Sequence, residues 1–178
     1  MPKTLYFSKT GEVNSPQRGT SCSAGIDFFI PKFTPQFLDD FISKNRNISI
    51  IWKDCYSYYL DLPNKLLLLG PGQRILIPTC IKMRGHDHKA IIGFNKSGIG
   101  SKKGLDALAC VIDEDYQGVL HINLVNTSNE MVAIHEDEKI LQFLELPVDY
   151  SELKEVPESE LFLKETDRGE GGFGSTNT

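Results

Sequence analysis

Four things are scarce in this chain, and each scarcity removes a class of function. Its four cysteines (Cys22, Cys55, Cys80, Cys110) lie far apart with no CxxC pair, so neither a zinc knuckle nor a disulfide scaffold is expected. Basic residues are outnumbered, 19 Lys and Arg against 24 Asp and Glu, and the formal net charge of -5 offers no field for nucleic acid or an anionic membrane. The longest apolar run, 107–112, is far below the roughly 20 residues a bilayer demands, and the opening MPKTLYFSKTGEV lacks an apolar signal segment. Histidine pairs at ligand spacing are missing too: His86 and His88 sit two apart in a Gly/Asp turn, and His121 and His135 stand alone. The expectation is a cytoplasmic protein, in a host cytoplasm if the source is viral, with reduced thiols and neither membrane nor nucleic-acid partners.

What is present fits one core. With 178 residues, 40% of them hydrophobic, residues 1–178 read as a single domain. Only 35–44 reads as a helix, because Phe37, Leu38, Phe41 and Ile42 share a face and Pro35 suits the first turn. The rest is short runs rich in β-branched and aromatic residues at 24–31, 48–52, 56–62, 65–69, 74–77, 90–94, 107–112, 119–125 and 139–146, divided by turn signals such as Gly70-Pro71-Gly72. That pattern predicts a compact all-β antiparallel sandwich or barrel. Residues 149–160 are acidic and carry Pro157, which predicts an arm crossing the surface. Four glycines between Gly169 and Gly174 make the end read, on composition alone, as a disordered tail.

Three clusters could carry chemistry. Asn95-Lys96-Ser97-Gly98-Ile99-Gly100-Ser101-Lys102-Lys103-Gly104 has the small residues, hydroxyls and charge of a phosphate-binding loop, and also those of a solvated turn. Cys110-Val111-Ile112-Asp113-Glu114-Asp115-Tyr116-Gln117-Gly118 delivers carboxylates from a buried run into a turn, either a general base or an acidic hairpin. Asp167-Arg168-Gly169-Glu170-Gly171-Gly172-Phe173-Gly174-Ser175-Thr176 combines a guanidinium fork for phosphate with an aromatic flanked by glycines. Ser97 has no His/Asp companion motif of a serine hydrolase.

In order, AGIDFF at 24–29, NKSGIGSKKGL, CVIDEDYQG, Glu138-Lys139-Ile140-Leu141-Gln142-Phe143 and RGEGGFGST resemble the five motifs of the trimeric dUTP pyrophosphatases (dUTPases). The resemblance implies a jelly-roll-like β-clip subunit and a homotrimer with sites at subunit interfaces. It further implies hydrolysis of dUTP to dUMP and pyrophosphate with magnesium, which keeps uracil out of DNA and supplies dUMP for dTTP synthesis. On the same ground Asp113 activates the attacking water and Ser97 contacts the phosphate chain, with Lys96 and Gly98 beside it. Tyr116 packs on the deoxyribose, and the backbone of Ala109, Cys110, Val111 and Ile112, with the facing strand near His121, reads uracil. Gln142 lies near the triphosphate, Arg168, Ser175 and Thr176 hold the γ-phosphate, and Phe173 stacks on uracil beside Gly174. Asp27 acts on Mg2+ through water, the ion itself being held chiefly by the phosphates.

The chain departs from the family pattern at Asn95-Lys96, where Pro-Arg is usual, and at Lys139, Leu141 and Cys110. Residues 34–64 form an insertion that holds the one Trp, Trp52, and the run Tyr56-Ser57-Tyr58-Tyr59. An insertion this apolar is expected to pack on the subunit; a protein-partner surface or a trimer reinforcement is the alternative. Residues 149–178 are expected to form the arm and closing lid. The rival readings are a dCTP deaminase-like relative and a nucleotide-dependent regulatory protein on the same scaffold.

Overall fold

A computed structural model describes residues 4–45 and 66–171. The strands expected at 48–52 and 56–62 lie outside the described residues. The backbone forms two compact units, Met1–Val148 and Asp149–Thr178. The first holds β1 (Tyr6–Lys9), β2 (Ile26–Phe29), α1 (Pro35–Lys44), β3 (Leu66–Leu69), β4 (Arg74–Pro78), β5 (Ile81–Arg84), β6 (Lys89–Asn95), α2 (Ser97–Lys103), β7 (Leu105–Ala107), β8 (Val111–Ile112), β9 (His121–Asn126), β10 (Val132–His135) and β11 (Lys139–Pro147). The described part of the second holds α3 (Glu158–Leu161). Among the described residues no helix is long and apolar enough to cross a membrane.

All strand pairings are antiparallel, in sheets ordered β2-β11-β6-β8, β4-β9-β7, β1-β5 and β10-β3. Alternation sets the faces: in β9, Ile122, Leu124 and Asn126 point inward while His121, Asn123 and Val125 are half-buried. The core joins these strands through Phe28 and Phe143, whose rings meet edge to face at 4.5 Å, with Ile77, Leu105, Leu120 and Ile134 around them. Two buried polar side chains find carbonyl partners: Asn126 donates to the carbonyls of Leu69 and Glu130, and Thr79 donates to that of Leu120.

Helix α1 has the bounds the sequence predicts. Thr34 caps it by accepting from the Phe37 amide, and Phe37, Leu38 and Phe41 are buried. Phe33, Phe37 and Phe41 stack in series at 5.4 and 5.9 Å. Asn45, just past the helix, donates to the Leu76 carbonyl at 2.7 Å and accepts from the Leu76 amide at 2.8 Å, pairing with the open edge of β4 as a neighbouring strand would. The first part of the insertion is thus packed on the subunit.

Two expectations need correction. The run 107–112 is not one strand: Ala109 adopts φ 48, a left-handed turn between β7 and β8. The segment 97–103, read as a loop or turn, is a helix, which Gly104 ends at φ 62. Strands β1, β5 and β10 are additional to those expected.

Candidate active site

Three of the five clusters meet at one end of the β2-β11-β6 sheet. Register sets Gln142 of β11 opposite Asp27 of β2 on one side and Phe94 of β6 on the other. The chain leaving β6 then carries Asn95, Lys96 and Ser97 past them. Lys96 Nζ donates to Asp27 Oδ1, and Lys139 Nζ lies 3.5 Å from Asp27 Oδ2. The Asp27 side chain is only 10% exposed, so one sheltered carboxylate is shared by two ammonium groups. Gln142 Nε2 donates to the Asn95 carbonyl at 2.9 Å. Its other end fills the space above Gly25: a Cβ there would lie 2.1 Å from Gln142 Oε1. The glycine of AGIDFF is required by the glutamine of the fourth cluster.

Ser97 opens α2 on the exposed side, and Gly98 has open space around it. The helix is anchored at its far end, where Lys103 Nζ donates to the Ala133 carbonyl at 2.8 Å and pairs with Glu138. Asn95 braces the near end by donating to Asp106 and accepting from the Ala107 amide at 2.9 Å.

The third cluster does not join them. β8 pairs with β6 through Val111 with Ile92 and Ile112 with Ile91, which puts Asp113 beside Ala90, seven residues before Ser97. At about 3.3 Å per residue, Ala90 to Asn95 alone is roughly 17 Å along β6, and Ser97 lies beyond that end. Register thus sets Asp113 and Ser97 at opposite ends of β6. The Asp113 carboxylate is exposed, and its carbonyl accepts from the Tyr116 amide at 3.2 Å. Tyr116 donates to the Val119 carbonyl at 3.1 Å and folds over Gly118, where a Cβ would lie 2.3 Å from the phenol oxygen. Tyr116, with Glu114, Asp115 and Gln117, borders a cavity of about 560 Å³ whose far wall includes Tyr6 and Arg84.

In the turn 108–110, the Leu108 amide donates to Asn123 and the Cys110 carbonyl accepts from Gly93, both at 2.9 Å. Burial pushes the Cys110 thiol up, with Asp106 adding to it. The His121 side chain turns to α1 rather than to this hairpin. Burial and then the Lys44 ammonium lower its pKa, against the Val119 carbonyl and Asp40, and its buried Nε2 has no hydrogen-bond partner. In the second unit, Arg168 Nε donates to the Gly171 carbonyl at 2.7 Å, next to Gly169 at φ 49. Phe173, Gly174, Ser175 and Thr176 lie outside the described residues. Among the described residues no three His, Cys, Asp or Glu side chains converge as a metal cage.

The sequence profile described as dUTPase matches residues 57–177. The chain belongs to the dUTPase family. It is 42% identical over 118 residues to the deoxyuridine 5'-triphosphate nucleotidohydrolase of Idiomarina loihiensis, covering 65% of this chain and 74% of that one. Its fold is that of the dUTPase of Staphylococcus bacteriophage 80alpha, solved with dUpNHpp: TM-score 0.69, 21% identity, 99% of this chain and 100% of that chain. A variant dUTPase from phage phi11 of S. aureus, whose structure reveals the coordination of a structural Mg(II) ion, is similar at TM-score 0.62 and 20% identity over 88% of this chain and 98% of that one.

Relative to the dUTPase motifs read in the sequence, the structure adds Lys139, Asn95 and Gly25 to the site. Lys139 stood in the fourth motif only as a departure. Its reach to Asp27, more than a hundred residues away in the chain, depends on the β2–β11 pairing, and no spacing rule reveals it.

Proposed function

We propose that this chain hydrolyses dUTP to dUMP and pyrophosphate in sites built from more than one copy. The observation that carries the reading is the gathering of Asp27, Lys96, Ser97 and Gln142 at one sheet end, with Asp113 beside the other end of β6, roughly 17 Å along the strand. In a symmetric ring, Asp113 of one copy reaches the Ser97 end of the next, and a homotrimer gives three such sites. Arg168 supplies a guanidinium fork for the triphosphate.

In this reading Asp113 accepts the proton of a water that attacks the α-phosphorus; the bond to the β-phosphate oxygen breaks, and pyrophosphate leaves. Ser97 donates to a phosphate oxygen beside that leaving group, and Lys96 and Arg168 balance its charge. Tyr116, fixed over Gly118, covers the deoxyribose and leaves no room for a 2′-hydroxyl. The 108–112 turn reads uracil with its remaining backbone groups. Magnesium would arrive held by the substrate's phosphates, whose charge it would spread: the two oxygens of Asp27 face Lys96 and Lys139, so this carboxylate would meet the ion only through its waters. A cytoplasmic setting accords with this substrate.

Pyrophosphate release from dUTP and Mg2+ is the direct test; none from the purified chain would sink the reading. Asp113→Asn is expected to lower kcat about 10³-fold with dUTP affinity nearly unchanged. Inactive Asp113→Asn and Ser97→Ala chains, unfolded together and refolded as mixed rings, should regain about a quarter of wild-type activity. No recovery would place both residues in one chain's site.

A further inference from the structure

The turn between β5 and β6 is fastened at three points. Glu145 of β11 accepts from the His86 amide at 2.7 Å and meets His86 Nδ1 at 2.7 and 2.8 Å. Lys89 Nζ pairs with the same carboxylate at 3.1 Å. The His88 carbonyl accepts from the Val148 amide at 2.9 Å. His88 itself sits at φ 59, outside any strand, and its amide donates to Glu114 Oε2 at 2.8 Å. Glu114 therefore hooks the loop after β8 onto a turn that β11 already holds.

Asp113 is the residue between two fixed points. On one side Ile112 is in the ladder with Ile91, and on the other the Glu114 side chain is bound to His88. The Asp113 side chain is exposed, and its backbone is held by the Ile112 ladder, by the Glu114 hook and by the Tyr116 amide, which donates to its carbonyl at 3.2 Å. A carboxylate that must meet a water aligned on phosphorus in another copy's site tolerates little wander, since a misplacement of about 1 Å can cost about 10²-fold in rate.

We propose that Glu114 is a positioning residue for Asp113, acting through the His88 amide rather than by touching substrate. The proposal rests on the hydrolase reading above. Its signature is a loss of kcat without a loss of binding.

The test compares wild type, Glu114→Ala and Glu114→Gln for dUTP turnover and, by NMR, for exchange of the His88 amide hydrogen. The amide oxygen of Gln can still accept from His88; Ala cannot. Glu114→Ala should lower kcat about 10- to 100-fold with KM within about two-fold of wild type, and its His88 amide should exchange faster. Glu114→Gln should recover most of both. The proposal is overturned by unchanged kcat in Glu114→Ala, by KM rising in step, by Gln failing as badly as Ala, or by a His88 amide that exchanges equally fast in wild type and Glu114→Ala. Wild type is measured first: no turnover there sinks the hydrolase reading, whereas normal turnover with unaltered Glu114→Ala kinetics sinks only this one.

Discussion

Lys96 and Asp27 form an ion pair that joins the second motif to the first, and Lys139 of the fourth motif completes it at 3.5 Å from the other carboxylate oxygen. The three side chains together carry one excess positive charge at the end of the sheet where a triphosphate would arrive. Asp27 thus orients Lys96 and, on the proposed function, would compete with phosphate for it.

The structural part of the pair can be measured. Asp27→Asn leaves two partly exposed ammonium groups without their sheltered carboxylate and should cost about 1 kcal/mol of stability in urea unfolding. A loss below a few tenths would mean that the pair is solvated and plays no structural part.

Gly25 and Gly98 separate a packing requirement from a ligand requirement. Gly25→Ala drives a Cβ into the Gln142 amide and should lower kcat/KM about ten-fold, with a lower melting temperature. Gly98→Ala meets nothing within 4 Å and lies in a helix, so stability should hold or rise by about 0.5–1 kcal/mol. A several-fold rise in its KM for dUTP would then report close approach of phosphate. Destabilisation by Gly98→Ala would contradict the open space around it.

His121 predicts a pH dependence of stability. Its folded pKa lies below the ordinary 6.5, chiefly through burial and then Lys44, so the unfolded chain takes up the proton first as pH falls. The stability it contributes is present above 6.5 and is lost as pH drops from there through the folded value. Urea midpoints at pH 7.5 and 5.5 should therefore differ more for wild type than for His121→Phe. Equal differences would show that His121 is not the titrating group.

Asn45 ties the insertion to the core. Asn45→Ala strands the amide and carbonyl of Leu76 at the edge of β4 and should cost about 1–3 kcal/mol in urea unfolding, with specific activity of the folded fraction unchanged. A neutral result would mean that water replaces the side chain at that edge.

Much of this was legible along the chain. α1 was readable because its signals are local: Thr34, Pro35 and apolar residues at helical spacing all act within a few residues of one another. α2 was not, since glycines at 98 and 100 lower helix propensity and only Ile99 offers an apolar contact. It forms because Lys103 is held by Ala133 and Glu138, thirty or more residues on. The break at Ala109 was hidden for the same reason: an apolar run says nothing of a residue forced to φ 48 by strands pairing on either side.

The sequence by itself determined the family and the five clusters, because those depend on which residues follow one another. Only the tertiary structure decided which clusters share a site within a subunit. Register between strands is fixed by hydrogen bonds and packing between residues far apart in the chain. Pairing Val111 with Ile92 turns Asp113 away from Ser97, while pairing Gln142 with Asp27 brings the first, second and fourth clusters together.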